Sequence, residues 1–332
     1  MRISRVALRL ARSGRESRPQ FCAATPARSV ASLQPPATKS TSKALMASDA
    51  YKTPEESPSV TTAIEVTLPP EATSLYSEVL QAMNQHGVPY AVAGAFALQK
   101  YTGIWRLTKD LDIFMKAEDI PAALDHLAQL NFRCETLDPV WLSKAHRGEY
   151  FVDLISGMSN AAIVVDDSWM QRTIPALIAG VPSRIISAED LLASKLFVVR
   201  RERFDGADIA HIIYRTKGRL DWQRVLDLAG EHWEIVLWAL ILFRYVYPAH
   251  THYVPPSLWQ DLLSRYMHEI QHPNPNARFR GSLVDDNMFS IDMKDWGLDD
   301  IESEYRTQTL QKLPETARRS LESERPTGTQ PQ

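Results

Sequence analysis

The sequence has very little cysteine and no long apolar run. Its two cysteines, Cys22 and Cys134, are too few for a disulfide framework and lack metal-binding spacing, which favours a reducing compartment. The apolar run Ile235 to Phe243 ends after nine residues at Arg244. Spanning a bilayer takes about 20 residues. We therefore expect a buried helix at this run and no membrane partner.

The sequence also has little excess charge of either sign. Its 37 Lys and Arg residues against 40 Asp and Glu residues give a net charge of −3. So small a charge creates no general attraction for nucleic acid, although a local basic groove is compatible with it. With 44% hydrophobic and 23% charged residues, the 332-residue chain is typical of one or two globular domains with disordered ends.

The first 45 residues differ in composition from the remainder. They contain seven Arg and two Lys but a single acid, Glu16, and four of the arginines have helical spacing: Arg2, Arg5, Arg9 and Arg12. This pattern is typical of a mitochondrial transit peptide, but also of an unstructured leader or of translated sequence upstream of a start at Met46. A Ser-, Thr- and Pro-rich linker follows to about residue 70. We predict a disordered leader and linker over residues 1–70, and a cytoplasmic protein unless the leader is a transit peptide.

A glycine turn is the first feature that suggests chemistry. An apolar run from Tyr90 ends at Gly94-Ala95, and a brief helix is predicted from there to about Tyr101. Backbone N–H groups at the start of such a helix can bind phosphate oxygens, helped by the helix dipole.

Two carboxylates open the next apolar strand. Because successive side chains of a strand point to opposite faces, Asp110 and Asp112 share one face, with α-carbons roughly 6 to 7 Å apart. Leu111 and Ile113 then face the core, which fixes the register. One divalent cation can bind both carboxylates.

A third carboxylate, Asp153, lies within the apolar strand Glu149 to Ile155. A buried carboxylate is costly unless it is paired or bound to a metal. Asp153 is therefore the natural third ligand, although an aspartate that accepts a backbone hydrogen bond at a strand end would give the same pattern.

These residues resemble the nucleotidyltransferases of the DNA polymerase beta superfamily, especially their minimal bacterial branch. The family signature is a hydrophobic residue, Gly, then Gly or Ser, a helix, and an Asp-x-Asp strand, matched here by Ala93-Gly94-Ala95 and Asp110-Leu111-Asp112. The resemblance implies an α+β fold, in which a small mixed sheet is flanked by helices and followed by a helical C-terminal region. The implied domains are a nucleotidyltransferase core at residues 71–186 and a helical domain at residues 187–300.

The resemblance also implies a reaction. Asp110, Asp112 and Asp153 would hold one or two Mg²⁺ ions, with Asp153 completing the metal site or taking the proton of the attacking hydroxyl. A nucleoside monophosphate would pass from an NTP to a hydroxyl acceptor, which is a small molecule, an RNA end or a protein. Ala95 replaces the small polar residue or Gly of the family, which favours the alternative of a catalytically silent nucleotide-binding or interaction protein.

Further along the chain, the sequence resembles nucleotidyltransferase toxins of abortive-infection type. These carry a Lys on a helix after the sheet and an Asp about a dozen residues later, matched by Lys195 and Asp208. The resemblance implies that Lys195 reaches the triphosphate, that Asp208 orients it, and that an antitoxin is a partner. A structural Lys–Asp pair between two helices would give the same spacing. The predicted helix begins at the cap Ser187 and runs through Val199.

Two residues ahead of the Asp pair complete the predicted site. Relatives often carry an Arg and a Thr where this chain has Arg106 and Thr108, which implies nucleotide contacts at the pocket rim. The alternative is that Arg106 packs on Trp105 and stays solvated. Beyond Asp300 we predict a polar tail, residues 301–332, with at most one short helix.

Overall fold

The computed structural model describes residues 62–64 and 66–323. The predicted Arg-rich leader and most of the predicted linker lie outside these residues. The described part consists of a central mixed sheet, helices packed on it and a helical C-terminal region, which confirms the predicted fold class.

The sheet of the described part has eight strands. They are β1 (Thr62–Ala63), β2 (Ala91–Val92), β3 (Asp110–Phe114), β4 (Arg133–Asp138), β5 (Leu142–Arg147), β6 (Tyr150–Ile155), β7 (Ile174–Ile178) and β8 (Val181–Ile185). Their order across the sheet is β1-β7-β8-β2-β3-β6-β5-β4. Three neighbouring pairs are parallel, β1 with β7, β2 with β8 and β3 with β6, and the others are antiparallel. Strand β3, which carries the Asp pair, is therefore central.

Helices form most of the remaining described chain. They are α1 (Pro70–Gln85), α2 (Gly94–Thr102), α3 (Ile120–Gln129), α4 (Asp167–Gln171), α5 (Ala188–Ala193), α6 (Gly206–Thr216), α7 (Trp222–Ala229), α8 (Trp233–Val246), α9 (Pro256–Gln271), α10 (Gly281–Asp285), α11 (Ser290–Lys294), α12 (Ile301–Lys312) and α13 (Glu315–Ser323). The apolar run that begins at Ile235 lies in α8, so the predicted helix is present, but it is buried on one side only, since Trp238 and Ile241 are about half exposed. Within residues 62–64 and 66–323, no helix combines the length and apolarity that a membrane span requires.

The register of β3 follows its apolar residues. Leu111 and Ile113 are completely buried in the core, so Asp110 and Asp112, which alternate with them, lie on the opposite face of the strand. Helix α1 also packs into the core, where its Tyr76 side chain is completely buried.

Two parts of the predicted domain organisation differ from the structure. Strand β1 lies inside the predicted linker and pairs with β7. Helix α1 begins at Pro70, the last residue of the predicted linker. Proline is tolerated there because the N–H group of the first helical residue has no partner within the helix. The predicted polar tail contains two helices, α12 and α13, rather than at most one. Ile301 and Ala317 are buried there, so the helices gain tertiary packing that a polar composition does not reveal.

Candidate active site

Three carboxylates converge on one face of the sheet. Strands β3 and β6 are parallel neighbours, and their register places Asp112 directly beside Asp153. One carboxylate oxygen from each of Asp110, Asp112 and Asp153 lies within 4.8 Å of the others. The structure thus brings together the three residues that the sequence selects as metal ligands.

Burial and mutual repulsion disfavour the charged forms of Asp112 and Asp153. Burial, followed by the charges of Asp110 and Asp153, raises the pKa of Asp112 to about 7. Burial also raises the pKa of Asp153, against the opposing effect of Lys144, whose Nζ lies 2.6 Å from Asp153 Oδ1. Clustered carboxylate oxygens are the donors that Mg²⁺ prefers, and a cation would relieve this repulsion. The residues present therefore fit a divalent cation.

Gly94 lies directly against this cluster. Its φ of +51° is in the left-handed region, and an added Cβ would lie 1.7 Å from Asp112 Oδ2. The preceding residue, Ala93, donates its N–H to the Asp112 carbonyl at 2.9 Å, which holds the turn on β3. Helix α2 begins at this turn, so the backbone N–H groups of its first turn, including that of Ala95, lie next to the carboxylates.

Arg106 and Thr108 precede β3 in a loop, since the strand begins only at Asp110. The Thr108 hydroxyl donates to Asp110 Oδ1. The Arg106 guanidinium donates to Asp208 Oδ1 at 2.7 Å, and its side chain is 55% exposed. Arg106 therefore lies outside β3, and its guanidinium is paired with Asp208 rather than only solvated.

Lys195 and Asp208 form the predicted pair, but Lys195 does not lie on a helix. Helix α5 is capped by Ser187 as predicted and ends at Ala193, after which the Lys195 N–H donates to the Leu192 carbonyl in a tighter turn. The buried Lys195 Nζ lies 3.0 Å from Asp208 Oδ2.

A second carboxylate, Asp205, also pairs with Lys195, at 2.8 Å. Burial alone would raise the pKa of Asp205, but hydrogen bonds and charge from Arg203 and Lys195 outweigh it and lower that pKa. Asp205 is therefore charged at neutral pH, and it holds the ammonium group of Lys195 in place.

A cavity of about 390 Å³ joins these groups. Its lining includes the three carboxylates, Gly94, Lys195, Asp205, Arg200 and Arg203, with an apolar wall that includes Phe114, Trp141, Met158 and Phe197. Of the residues that the sequence selects, Ala95, Arg106, Thr108 and Asp208 lie outside this described lining. Each of these four residues contacts, adjoins or is linked to a residue of the lining: Asp208 pairs with Lys195, Thr108 donates to Asp110, Ala95 follows Gly94, and Arg106 is connected through Asp208.

Sequence reasoning missed five charged residues at the site, which are Lys144, Arg200, Glu202, Arg203 and Asp205. Lys144 lies on β5, a strand that the sequence does not predict. Lys144 and His146 are two residues apart, which is the spacing of side chains on one face of a strand, and this spacing is the signal that could have indicated β5. Arg203 and Asp205 belong to a charged segment that is visible in the sequence, but the segment contains no periodicity that would show which of its residues face the cavity.

Comparison with known proteins identifies the family. Residues 71–243, just over half of the chain, match the family described as "Uncharacterised nucleotidyltransferase". No curated protein matches the sequence closely enough to extend this comparison.

Several solved structures are similar in part. They include antibiotic-resistance factor ANT(2'')-Ia (18% identity, 56% of this chain and 97% of that chain, TM-score 0.34). An antigenic nucleotidyltransferase-like protein from Paracoccidioides brasiliensis has 17% identity over 55% of this chain and 93% of that chain, with a TM-score of 0.36. The lincosamide antibiotic adenylyltransferase LnuA has 16% identity over 44% of this chain and 98% of that chain, with a TM-score of 0.33. At these TM-scores the assignment rests on the family match alone, and on that match the chain belongs to this family of nucleotidyltransferases.

Proposed function

We propose that this enzyme transfers a nucleoside monophosphate from an NTP, with ATP as the first candidate, to a hydroxyl acceptor, and that the transfer depends on Mg²⁺. One observation carries the proposal. Three carboxylates whose oxygens lie within 4.8 Å of one another form the wall of a cavity that also contains a buried lysine. Such an arrangement suits a substrate that combines a divalent cation with a polyanion.

Binding of the triphosphate falls to the cationic side of the cavity. The Lys195 ammonium would contact phosphate oxygens as a point charge, and Arg203, whose Nε and Nη2 donate to Asp205, can add a contact through Nη1. Backbone N–H groups at the start of α2 would bind a phosphate oxygen near Gly94. Asp208 and Asp205 keep Lys195 in position for this contact.

The metal site comprises Asp110, Asp112 and Asp153. Bound Mg²⁺ would neutralise the triphosphate and the developing charge on the leaving pyrophosphate. Asp112, whose pKa is about 7 in the absence of a cation, would bind in its deprotonated form. The Thr108 hydroxyl, which donates to Asp110 Oδ1, orients that carboxylate.

Asp153 is the residue best placed to accept the acceptor's proton. Lys144 contacts its Oδ1, which leaves the second carboxylate oxygen for this role or for the metal. The acceptor oxygen attacks the α-phosphorus and forms a new P–O bond. The bond from the α-phosphorus to the bridging oxygen breaks, pyrophosphate leaves with the electron pair, and the hydroxyl proton passes to Asp153.

The acceptor would enter over the apolar wall. Trp141, Met158 and Phe197 line the cavity together with Arg200, which suits a molecule with both an apolar surface and polar groups. A small molecule, an RNA end and a protein side chain remain the candidate classes, and an antitoxin remains a hypothesis from the sequence resemblance.

The test is pyrophosphate release from each of the four NTPs with Mg²⁺, with and without a chelator. We expect Asp110→Asn or Asp112→Asn to lower release by at least about 100-fold, because each removes a charge that the cation needs. We also expect unchanged or slightly higher stability without Mg²⁺, since one repulsive charge is lost.

A matched control is Asp125→Asn, which changes an exposed carboxylate on α3. This variant should release pyrophosphate at the rate of the unmodified protein. Normal turnover in either Asn variant of the Asp pair would show that the metal site is assigned to the wrong residues.

A further inference from the structure

The C-terminal half of α9 carries an apolar stripe that nothing covers among the described residues. Every residue from 263 to 272 is exposed, although four of them are large and apolar. Leu263, Tyr266, Met267 and Ile270 are spaced i, i+3, i+4 and i+7, so they share one side of the helix. Helices with such a stripe normally bury it.

The neighbouring helix α8 repeats this pattern. Trp238, Ile241 and Tyr245 are 45%, 50% and 82% exposed and lie on one side of α8, while its opposite side is buried in the core. The two helices contact each other, and the Arg265 guanidinium of α9 lies 4.4 Å from the Trp233 ring of α8. The apolar surfaces therefore lie on adjacent helices.

The exposed area is large for a monomer. Counting Val246 as well, eight large apolar side chains of α8 and α9 are exposed by about half. At roughly 200 Å² per large side chain, the exposed sides of the two helices together present on the order of 800 Å². The largest contiguous apolar patch of a monomer is typically about 300 to 600 Å². About 800 Å² per partner is also the area of a standard stable interface.

The stripe on α9 is nearly symmetric on reversal of the helix. A twofold axis between Tyr266 and Met267 would place Leu263 against Ile270 of a second copy and Tyr266 against Met267. Glu269 would lie opposite Ser264, so no like charges would meet. Arg265 lies over the Trp233 ring and 3.6 Å from Glu269 Oε1 of the same helix, so its charge is already paired within the chain.

We propose that the α8–α9 surface, defined by the apolar residues named above, binds a second copy of this chain in a twofold-symmetric dimer. Such an interface uses the same patch on both subunits, which the symmetry of the α9 stripe allows. The proposal is independent of the proposed function, because none of these residues lines the active-site cavity.

The first experiment is sedimentation equilibrium of the full chain from sub-micromolar to high micromolar concentration. We expect twice the 37.5 kDa chain mass at the upper end. The double variant Tyr266→Asp/Ile270→Asp should remain at the single-chain mass with an unchanged circular dichroism spectrum. The control Leu137→Asp, which charges an exposed apolar residue on β4, should dimerise normally.

The second experiment uses cross-linking. Met267→Cys lies next to the proposed axis and should form a disulfide-linked dimer under mild oxidation. Ser257→Cys, exposed on the same helix but off the stripe, should not, and the unmodified chain corrects for Cys22 and Cys134.

A single-chain mass at every concentration would overturn the proposal. It would leave a different partner, or another segment of this chain, as the occupant of the surface. A dimer that persists in the double Asp variant would equally overturn the assignment of the interface to this surface.

Discussion

Charge compensation governs the candidate site at the scale of single residues. Lys195 lies between Asp205 and Asp208, and each of these carboxylates has a second cation, Arg203 and Arg106 respectively. The five charges alternate in sign, so each buried group has a partner. Arg106 donates to Asp208 through Nη2, so the predicted nucleotide contact would use its remaining N–H groups or replace this hydrogen bond.

Replacing Lys195 should therefore affect both nucleotide binding and stability. We expect Lys195→Met to raise the ATP dissociation constant about 10- to 100-fold, because a contact to a charged group contributes about 1.5 to 3 kcal/mol. It should also lower the free energy of unfolding, since two buried carboxylates lose a shared partner. Titration calorimetry and urea unfolding measure the two effects.

The exposed Lys312→Met provides the comparison for this variant. It should change neither the ATP dissociation constant nor the free energy of unfolding. If Lys195→Met reduced stability alone and left ATP binding intact, Lys195 would be a structural residue and not part of the nucleotide site.

At the scale of elements, the turn between β2 and α2 shapes the site. Gly94 combines a positive φ with the close approach of Asp112, so it meets two requirements that only glycine satisfies. Gly180, in the hairpin between β7 and β8, has a φ of +78° but no atom within 4 Å of an added Cβ. Substitutions at the two glycines therefore distinguish the cost of backbone strain, present at both, from the cost of steric overlap, present only at Gly94.

We expect Gly180→Ala to cost about 1 kcal/mol of stability, from backbone strain alone. Gly94→Ala should cost more and abolish Mg²⁺-dependent pyrophosphate release, because the new methyl group displaces the Asp112 carboxylate. Urea unfolding of both variants and of Gly94→Ala/Asp112→Ala checks this. The double variant should regain part of the stability lost by Gly94→Ala, and strictly additive losses would contradict the steric explanation.

The sequence predicts some elements of the site and not others, for physical reasons. The alternation of polar and apolar residues in β3 predicts that Asp110 and Asp112 share one face of the strand. Asp153 is recognisable because it is an isolated acidic residue in an otherwise apolar strand. Strands β7 and β8 escape prediction because Pro175 and Pro182 lie inside them, where proline usually excludes a strand. Strand β5 lacks a regular apolar pattern, so its pairing with β4 and β6, and hence the position of Lys144, is set by tertiary structure.

At the scale of the whole molecule, the C-terminal helix α12 contacts Ser159, which lines the candidate active-site cavity. From α12, Arg306 donates to the Ser159 carbonyl and to Asp138 Oδ2, both at 2.7 Å. Glu302 on the same helix is buried, and its Oε2 has no hydrogen-bond partner among the described residues. Burial, followed by the charge of Asp286, raises the pKa of Glu302 to about 7.

Stability should consequently depend on pH through Glu302. The raised pKa means that the folded state favours the neutral carboxyl, so its contribution is fully present below the ordinary pKa of 4.5 and is lost as pH rises through about 7. We expect Glu302→Gln to become more stable than the unmodified protein by on the order of 2 kcal/mol between about pH 5 and pH 8. Urea unfolding across this range measures the difference.

The exposed Glu304→Gln serves as the control, because its carboxylate pairs with Arg278 at the surface. Its stability should differ from that of the unmodified protein by a small amount that does not vary with pH in this window. A constant difference for Glu302→Gln as well would mean that the carboxyl is ionised in the folded protein at all these pH values.

The fate of labelled phosphorus tests most directly whether the carboxylate cavity performs nucleotidyl transfer. ATP labelled at the α- or the γ-phosphorus is incubated with the enzyme, Mg²⁺ and a heat-treated, dialysed cell extract as the source of acceptors, and the products formed without the enzyme are subtracted. We predict that the α-label appears in an acceptor adduct or, by slow transfer to water, in AMP, and that the γ-label appears only in pyrophosphate. Both products should vanish in Asp112→Asn. Release of the γ-label as inorganic phosphate, or its transfer to an acceptor, would show attack at the γ-phosphorus and contradict the proposed chemistry.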